Sequence, residues 1–272
     1  MTALVHISDL HINSTVALCT PTYHKDDGGT GRYSAAQRWI WHNWLDFLDK
    51  VEEAKKHDKV ILVINGEVVD GDKKNRSNQI CCRNEADYKQ LAAEVLDPLV
   101  KMVDLVYVTR GTEAHTGKSA YLDEEMAKDF EAERDPATGN YSWWTLPLKV
   151  DGVTFDISHH VSMGQLPWTE KNAAMKLAVV TMMRYMEHGD KPPDLALRGH
   201  VHRWSDSYDA FPTRGIIGPA WTLKNSYIYR LGSSAKLSEI GGFIVHTSAG
   251  HYEVQKIKYT PKRRKWITPP LK

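Results

Sequence analysis

The stretch VINGEVVDGD, residues 63–72, ends an apolar run that begins at Val60. Asn65-Gly66 interrupts the strand, and a carboxylate, Glu67, follows at once. Asp70 comes three residues later, then Gly71. A buried strand that stops at a turn and then presents acids is how a sheet delivers side chains to a site at its carboxyl end. The chain repeats this pattern elsewhere.

Leu4–Ile7 is a short apolar strand followed by Ser8-Asp9-Leu10-His11. Leu105–Thr109 is followed by Arg110-Gly111-Thr112-Glu113-Ala114-His115. Val153–Ile157 leads to Ser158-His159-His160, and Leu195–Arg198 to Gly199-His200-Val201-His202. Residues two apart in extended chain point the same way, so Asp9 and His11 are spaced to grip one ion, and His200 and His202 repeat the i, i+2 spacing. Any one of these histidines alone reads as an ordinary surface or hydrogen-bonded residue. Five clusters, each just after an apolar strand, read together as one site. Imidazole with carboxylate and no thiolate suits Mn²⁺, Fe, Zn²⁺, Co²⁺ or Ni²⁺ rather than a Ca²⁺ cage of oxygens. There are donors enough for two ions, and two ions about 3.5–4 Å apart can clamp an in-line displacement at phosphorus.

The blocks SDLH, NGEVVDG, RGTEAH, SHH and GHVH, in that order over residues 8–202, resemble the calcineurin-like metallophosphoesterase superfamily. Its usual blocks are D-x-H, G-D-x-x-D, G-N-H-D/E, a single His after a strand, and G-H-x-H. The text around them (RGTEAHTG, SHHVSMGQLPWT, PPDLALRGHVHR) is similar to a subgroup often encoded by phages and prophages. The resemblance implies an α/β fold, the calcineurin-like four-layer αββα sandwich with mixed β-sheets around a dinuclear metal site. It implies two divalent ions, Mn²⁺ favoured, with Fe, Zn, Co or Ni as alternatives. Asp9, His11 and His202 would hold the first ion. His159, or in its place His160, and His200 would hold the second. Glu67 would bridge, where the family has Asp, and Asp70 would orient ligands. His115 would serve the leaving group as acid or charge stabiliser, and Arg110 would meet phosphate charge. The family's Asn position is Thr112 here, so the hydroxyl of Thr112, the carboxylate of Glu113 or a water is expected in that place.

The implied activity is phosphoester hydrolysis by water activated between two divalent ions. The expected partner is a phosphodiester substrate: DNA, RNA or a nucleotide. The alternatives are a phosphomonoesterase or protein phosphatase, and a catalytically impaired metal-binding protein. Support for nucleic acid comes from the basic stretches Lys73-Lys74-Asn75-Arg76 and Lys262-Arg263-Arg264-Lys265. It also comes from Trp168, Trp204, Trp221, Tyr227 and Tyr229, read as exposed rings able to stack bases.

Strand–helix alternation in the first half and a strand-rich last quarter predict one α/β domain over residues 1–272. Helices are expected from Ser34 to about His57, from Asn84 to about Val103 with a kink or break at Pro98, and from Ser119 to Arg134. Another is expected from a Thr169 cap to about His188, stopped at Gly189. Residues 13–31 read as a long loop, and Asp151-Gly152 as a hairpin turn. A net charge of +1, with 42% hydrophobic and 25% charged residues, gives no global field toward nucleic acid or membrane. Cys19, Cys81 and Cys82 make a poor disulfide framework, so a reducing cytoplasm is expected. The N-terminus lacks the pattern of a signal peptide, and no apolar run approaches the roughly 18 residues of a membrane span.

Overall fold

The computed structural model describes residues 1–71, 78–162, 169, 172–226, 229, 238–262 and 267. Its apolar strands sort into two mixed sheets. In the first, β1 (Thr2–Ile7), β4 (Lys59–Asn65), β5 (Leu105–Thr109) and β6 (Ser142–Trp143) run parallel. On the other side of β1 lie two antiparallel strands, β12 (Ile240–Ser248) and β13 (His251–Tyr259). The order is β13-β12-β1-β4-β5-β6. The second sheet is built from β7 (Leu146–Val150), β8 (Val153–Ile157), β9 (Leu195–Arg198), β10 (Ser205–Asp206) and β11 (Arg214–Ile217), in the order β10-β11-β9-β8-β7.

Side-chain alternation along the strands decides how these sheets stack. On β1, Leu4 turns one way and packs with Val63 and Phe243 against Phe155, Ile157, Leu197 and Ile216 of the second sheet. Ala3, Val5 and Ile7 turn the other way, toward α1 (Ala35–Lys55) and α2 (Glu85–Met102). On the far face of the second sheet, Ala173 and Leu177 of α5 (Asn172–Glu187) cover Ala196 and Ile217. The layers are therefore helix, sheet, sheet, helix, the four-layer mixed arrangement expected.

α1 begins where its sequence says it should. Ser34 Oγ accepts from the Gln37 amide and Gln37 Oε1 accepts from the Ser34 amide, a reciprocal capping box. Ile40, Trp44, Phe47 and Val51 make its buried stripe. Trp44 meets Trp221 edge-on, ring centroids 4.8 Å apart, and Phe47 lies 5.3 Å from Trp221. The Trp221 amide donates to the Asp9 carbonyl at 3.0 Å, so this aromatic knot braces the loop after β1. Trp44→Ala is expected to lower stability by about 3–5 kcal/mol, the cost of a large ring removed from a closed core, read by chemical denaturation. A loss below about 1 kcal/mol would show that the knot does not support the fold.

Several expectations change. Pro98 does not break α2, which runs unbroken to Met102. Asp97 and Pro98 lie on its exposed side, where water can satisfy the carbonyl that Pro98 leaves unbonded. The helix expected over Ser119–Arg134 is instead the end of a 3₁₀ turn (Lys118–Ala120) and α4 (Tyr121–Asp129), and a short α3 (Glu113–Thr116) precedes them. Ser119 and Ala120 have φ of 55° and 52°, which no continuous helix allows. The loop over 13–31 contains a small antiparallel pair, β2 (Thr22–His24) and β3 (Thr30–Arg32). Trp221 is core, not an exposed stacking ring. Trp204 is half-buried against Phe243, with Lys256 over its other side. Tyr229 is exposed. Trp168, Tyr227, Lys73, Lys74, Asn75, Arg76, Arg263, Arg264 and Lys265 lie outside the described residues, as do the two residues after Thr169. Cys19, Cys81 and Cys82 are free. Among the described residues no helix is long and apolar enough to cross a membrane.

Candidate metal centre

The parallel strands bring five loops to one edge of the sandwich. Pairing of β1 with β4 sets Ile7 beside Ile64, and pairing of β4 with β5 sets Asn65 beside Thr109. In the other sheet Ile157 lies beside Leu197. The next few residues of each strand therefore converge. Backbone hydrogen bonds tie the first pair of loops: the Asp9 amide donates to the Gly66 carbonyl at 3.1 Å, the His11 amide to the Glu67 carbonyl at 3.0 Å, the Ile12 amide to the Val68 carbonyl at 3.0 Å and the Asp70 amide to the Ile12 carbonyl at 2.8 Å.

Asp9 and His11 are not in extended chain as their spacing suggested. Their φ values are 53° and 45°, in the left-handed region, and the same holds for Asn13, Glu67, His200 and His202. Non-glycine residues take this conformation at a cost of roughly 1–3 kcal/mol each, and they cluster where side chains must be aimed at a site. The chain coils back at each of these loops, so its donors face inward.

The donors form groups whose ligating atoms all lie within 4.8 Å of one another. One is Asp9, His11, Glu67 and His202. A second is Glu67, His159 and His200. A third is His11, Asp70 and His115. Glu67 joins the first two by dividing its carboxylate. Oε2 lies 2.9 Å from His11 Nε2, and Oε1 lies 3.5 Å from His159 Nε2. His202 Nε2 lies 3.1 Å from Asp9 Oδ1, and the His200 amide donates to Asp9 Oδ2 at 2.9 Å.

Charge at the centre is out of balance with its surroundings. Burial would raise the Asp9 carboxyl, but His202 and His159 bring it down to about 2. Burial would likewise raise Glu67, and the facing His11 and His159 imidazoles hold it well below the usual carboxylate range. Burial lowers His159 too, yet Asp9 and Glu67 outweigh that and push it up to about 10. His11 and His200 are pulled down, chiefly by burial. Two buried carboxylates thus share this small space with several imidazoles.

These residues fit divalent cations. His159 donates its Nδ1 proton to the Asn65 carbonyl at 2.7 Å, so Nε2 is the nitrogen turned toward the carboxylates and the one that can bind a cation once its proton leaves. That Nε2 is buried and has no hydrogen-bond partner. His11 Nε2 and His202 Nε2 face each other at 3.2 Å. A buried ring nitrogen without a hydrogen-bond partner, and two imidazole nitrogens converging beside carboxylates, are what a cation site requires. Asn65 sets the ring of His159 in the way that second partners of metal-binding histidines do. Gly66 is needed beside it: at φ 76°, a Cβ there would lie 2.6 Å from His159 Nδ1.

The remaining expected site residues divide. Asp70 and His115 pair, with Asp70 Oδ1 3.2 Å from His115 Nδ1, and the His115 ring stands edge-on to His11 at 4.5 Å. Burial lowers the His115 imidazole, but Asp70 and Glu67 more than offset this and raise it to about 9. Thr112 turns its hydroxyl to Glu67 Oε1 as a hydrogen-bond donor. Glu113 is exposed and accepts from the Ser119 amide at 2.9 Å, so it stands outside the three donor groups, contrary to expectation. His160 is exposed as well, its ring 5.2 Å from His159 and 5.7 Å from His200, and it joins none of the groups. Arg110 is also corrected. Its guanidinium is buried, donates to Ser142 Oγ at 2.9 Å and to the Ser119 carbonyl at 3.4 Å, and lies 3.6 Å from Glu124. It fastens β5 to β6 and α4 and is not a free fork for phosphate.

Asp123 and Asn13 have no counterpart among the expected residues. Asp123 is wholly buried and accepts from the amides of Glu67, Val68 and Gly111. Asn13 accepts from the Cys82 amide at 2.8 Å and donates to the Asp70 carbonyl at 2.9 Å.

No family model matches the chain, and no curated protein matches it. Among solved structures it is similar to Vps29 complexed with zinc from Entamoeba histolytica. That match has 11% identity over 94% of this chain and 98% of the other, with a TM-score of 0.44. It is similar to a dimetal phosphatase from Danio rerio at 10% identity over 95% and 98%, with a TM-score of 0.46. Against the NAD nucleotidase of Haemophilus influenzae the identity is 14% over 95% of this chain and a TM-score of 0.39, and the chain spans 49% of that protein. The assignment of the metal centre rests on none of these likenesses.

Proposed function

We propose that this chain is a calcineurin-like metallophosphoesterase that hydrolyses phosphodiesters, with a nucleic acid or nucleotide as substrate and Mn²⁺ as the favoured ion. The observation that carries this reading is Glu67: one carboxylate shared between two groups of buried donors. Asp9, His11, His202 and Glu67 Oε2 would hold one ion, and Glu67 Oε1, His159 and His200 the other. When bound, such a pair supplies Lewis acidity at a phosphoryl oxygen and brings the pKa of a bound water near neutrality.

The chain's own residues do the rest. Asn65 and Gly66 keep His159 turned inward. His115 is paired with Asp70 and partly exposed, so it can hand a proton to a departing alkoxide. Asp70 holds the His115 ring and stabilises its charge.

The test is hydrolysis of a chromogenic phosphodiester with Mn²⁺, before and after chelation, compared with a phosphomonoester, a phosphopeptide and labelled DNA. Diester turnover that chelation abolishes, and that His200→Ala lowers by a factor on the order of a hundred, is the expected result. Equal rates in wild type and His200→Ala would sink the enzyme reading. Faster turnover of the phosphopeptide would favour a protein phosphatase. A second reading, metal binding without turnover, draws on Arg110 being spent inside the protein. Two bound ions with no turnover of any ester would support it.

A further inference from the structure

Glu67 is a long, flexible side chain in a position that demands precision. A shared ligand must keep both oxygens fixed, and Glu has one more rotatable bond than Asp to hold still. Two features immobilise it. At the tip, Oε1 accepts both the Thr112 hydroxyl and the Thr112 amide, the latter at 3.2 Å. At the base, Oδ2 of Asp123 accepts the amides of both Glu67, at 3.3 Å, and Gly111, at 2.7 Å, while Oδ1 accepts the Val68 amide at 3.1 Å. One carboxylate oxygen therefore joins the loop that carries Glu67 to the loop that carries Thr112.

The intervening space is closed. A Cβ on Gly111 would lie 2.5 Å from Glu67 Cγ and 2.7 Å from its amide nitrogen, so the Glu67 stem runs directly over Gly111. Asp123 stands in the first turn of α4, where the helix dipole favours an acid. Burial is what distinguishes it, since it is wholly enclosed and has three amide donors. Neither Thr112 nor Asp123 is needed to complete a donor group, because Asp9, His11, His159, His200, His202 and Glu67 already do so.

We infer that Thr112 and Asp123 are positioning residues for Glu67: the Thr112 hydroxyl fixes one carboxylate oxygen, and Asp123 sets the distance between the two loops so that Glu67 spans both donor groups. Thr112 is thus a partner of the shared ligand and not itself a ligand. This rests on the reading of Glu67 as the ligand common to two ions.

The experiment is Mn²⁺ titration of the full chain by calorimetry and metal analysis, with electron paramagnetic resonance of the loaded protein. Wild type is compared with Thr112→Val, Thr112→Ser and Asp123→Asn. Wild type is expected to take up two ions with an exchange-coupled spectrum. Thr112→Val, nearly the same shape without the hydroxyl, should bind one ion about 10–100-fold more weakly and lose the coupled signal. Thr112→Ser should restore both, and circular dichroism should show both Thr112 variants folded without metal. Asp123→Asn places an amide donor against backbone donors and should act like Thr112→Val or more strongly. If it does not fold, the Thr112 pair decides. Two ions bound to Thr112→Val with wild-type affinity and coupling would overturn the inference while leaving the dinuclear reading intact. A wild type that holds fewer than two ions would overturn the dinuclear reading itself, and the inference with it.

Discussion

Glu67→Ala is expected to hold at least one ion fewer than wild type and to lose turnover by a factor on the order of a hundred or more. Removing the side chain takes an oxygen from each of the first two donor groups, so neither is spared. It also leaves Thr112 without an acceptor for its hydroxyl and His11 without its 2.9 Å partner. Glu67→Asp separates reach from charge. The shorter arm keeps a carboxylate at the centre but withdraws it by roughly one C–C bond, about 1.5 Å. Both ions should remain, with a changed rate. Metal analysis on the two variants checks this: full occupancy in Glu67→Ala would show that Glu67 is not shared, whatever the rate.

The strand ends that carry the site were legible because each is a local pattern: a few apolar residues, a turn former, then His or acid. Ile64-Asn65-Gly66-Glu67 and Arg198-Gly199-His200 read this way without knowledge of their neighbours. Parallel pairing then does what adjacency in sequence cannot, and sets the ends side by side. The expectation for Asp9 and His11 assumed the wrong backbone. Period-two spacing suggested extended chain, whereas both sit at positive φ. The coil back is imposed by hydrogen bonds to Gly66 and Glu67, which lie more than fifty residues away in the chain.

Burial was the property least visible in the sequence. Arg110 and Glu113 flank the Gly-Thr pair and look equivalent to any other polar loop residues. One is buried against Ser142 and Glu124, and the other is exposed on the Ser119 amide. Asp123 opens a run of three acids, and only its enclosure singles it out from Glu124 and Glu125. Trp221 was read as a stacking ring because the aromatic type is the same on a surface and in a core. Its contacts with Trp44 and Phe47 decide for the core.

Metal loading is expected to raise the melting temperature by about 10 °C or more. The donors are already gathered in the folded chain, whereas in the unfolded chain Asp9, Glu67, His159 and His200 are scattered along the sequence. An ion that binds only the folded state stabilises it by about 2.7 kcal/mol when its free concentration is a hundred times its Kd, so two ions give about 5 kcal/mol. For a chain of this size each kcal/mol moves the melting temperature by roughly 2–4 °C. The metal-free centre also has a specific weakness for ions to relieve. Asp9 and Glu67 are buried with charge, His159 Nε2 is buried without a partner, and the left-handed backbone at six of the loop residues is strained. Calorimetric scans of the chelated protein with and without Mn²⁺ measure this directly. The shift should fall to half or less in His159→Ala combined with Glu67→Ala, which leaves only His200 of the second donor group and three of the four donors of the first. A shift of under 1 °C in wild type at saturating Mn²⁺ would mean that the cluster is held together by its own hydrogen bonds, and that cations are not what its geometry serves.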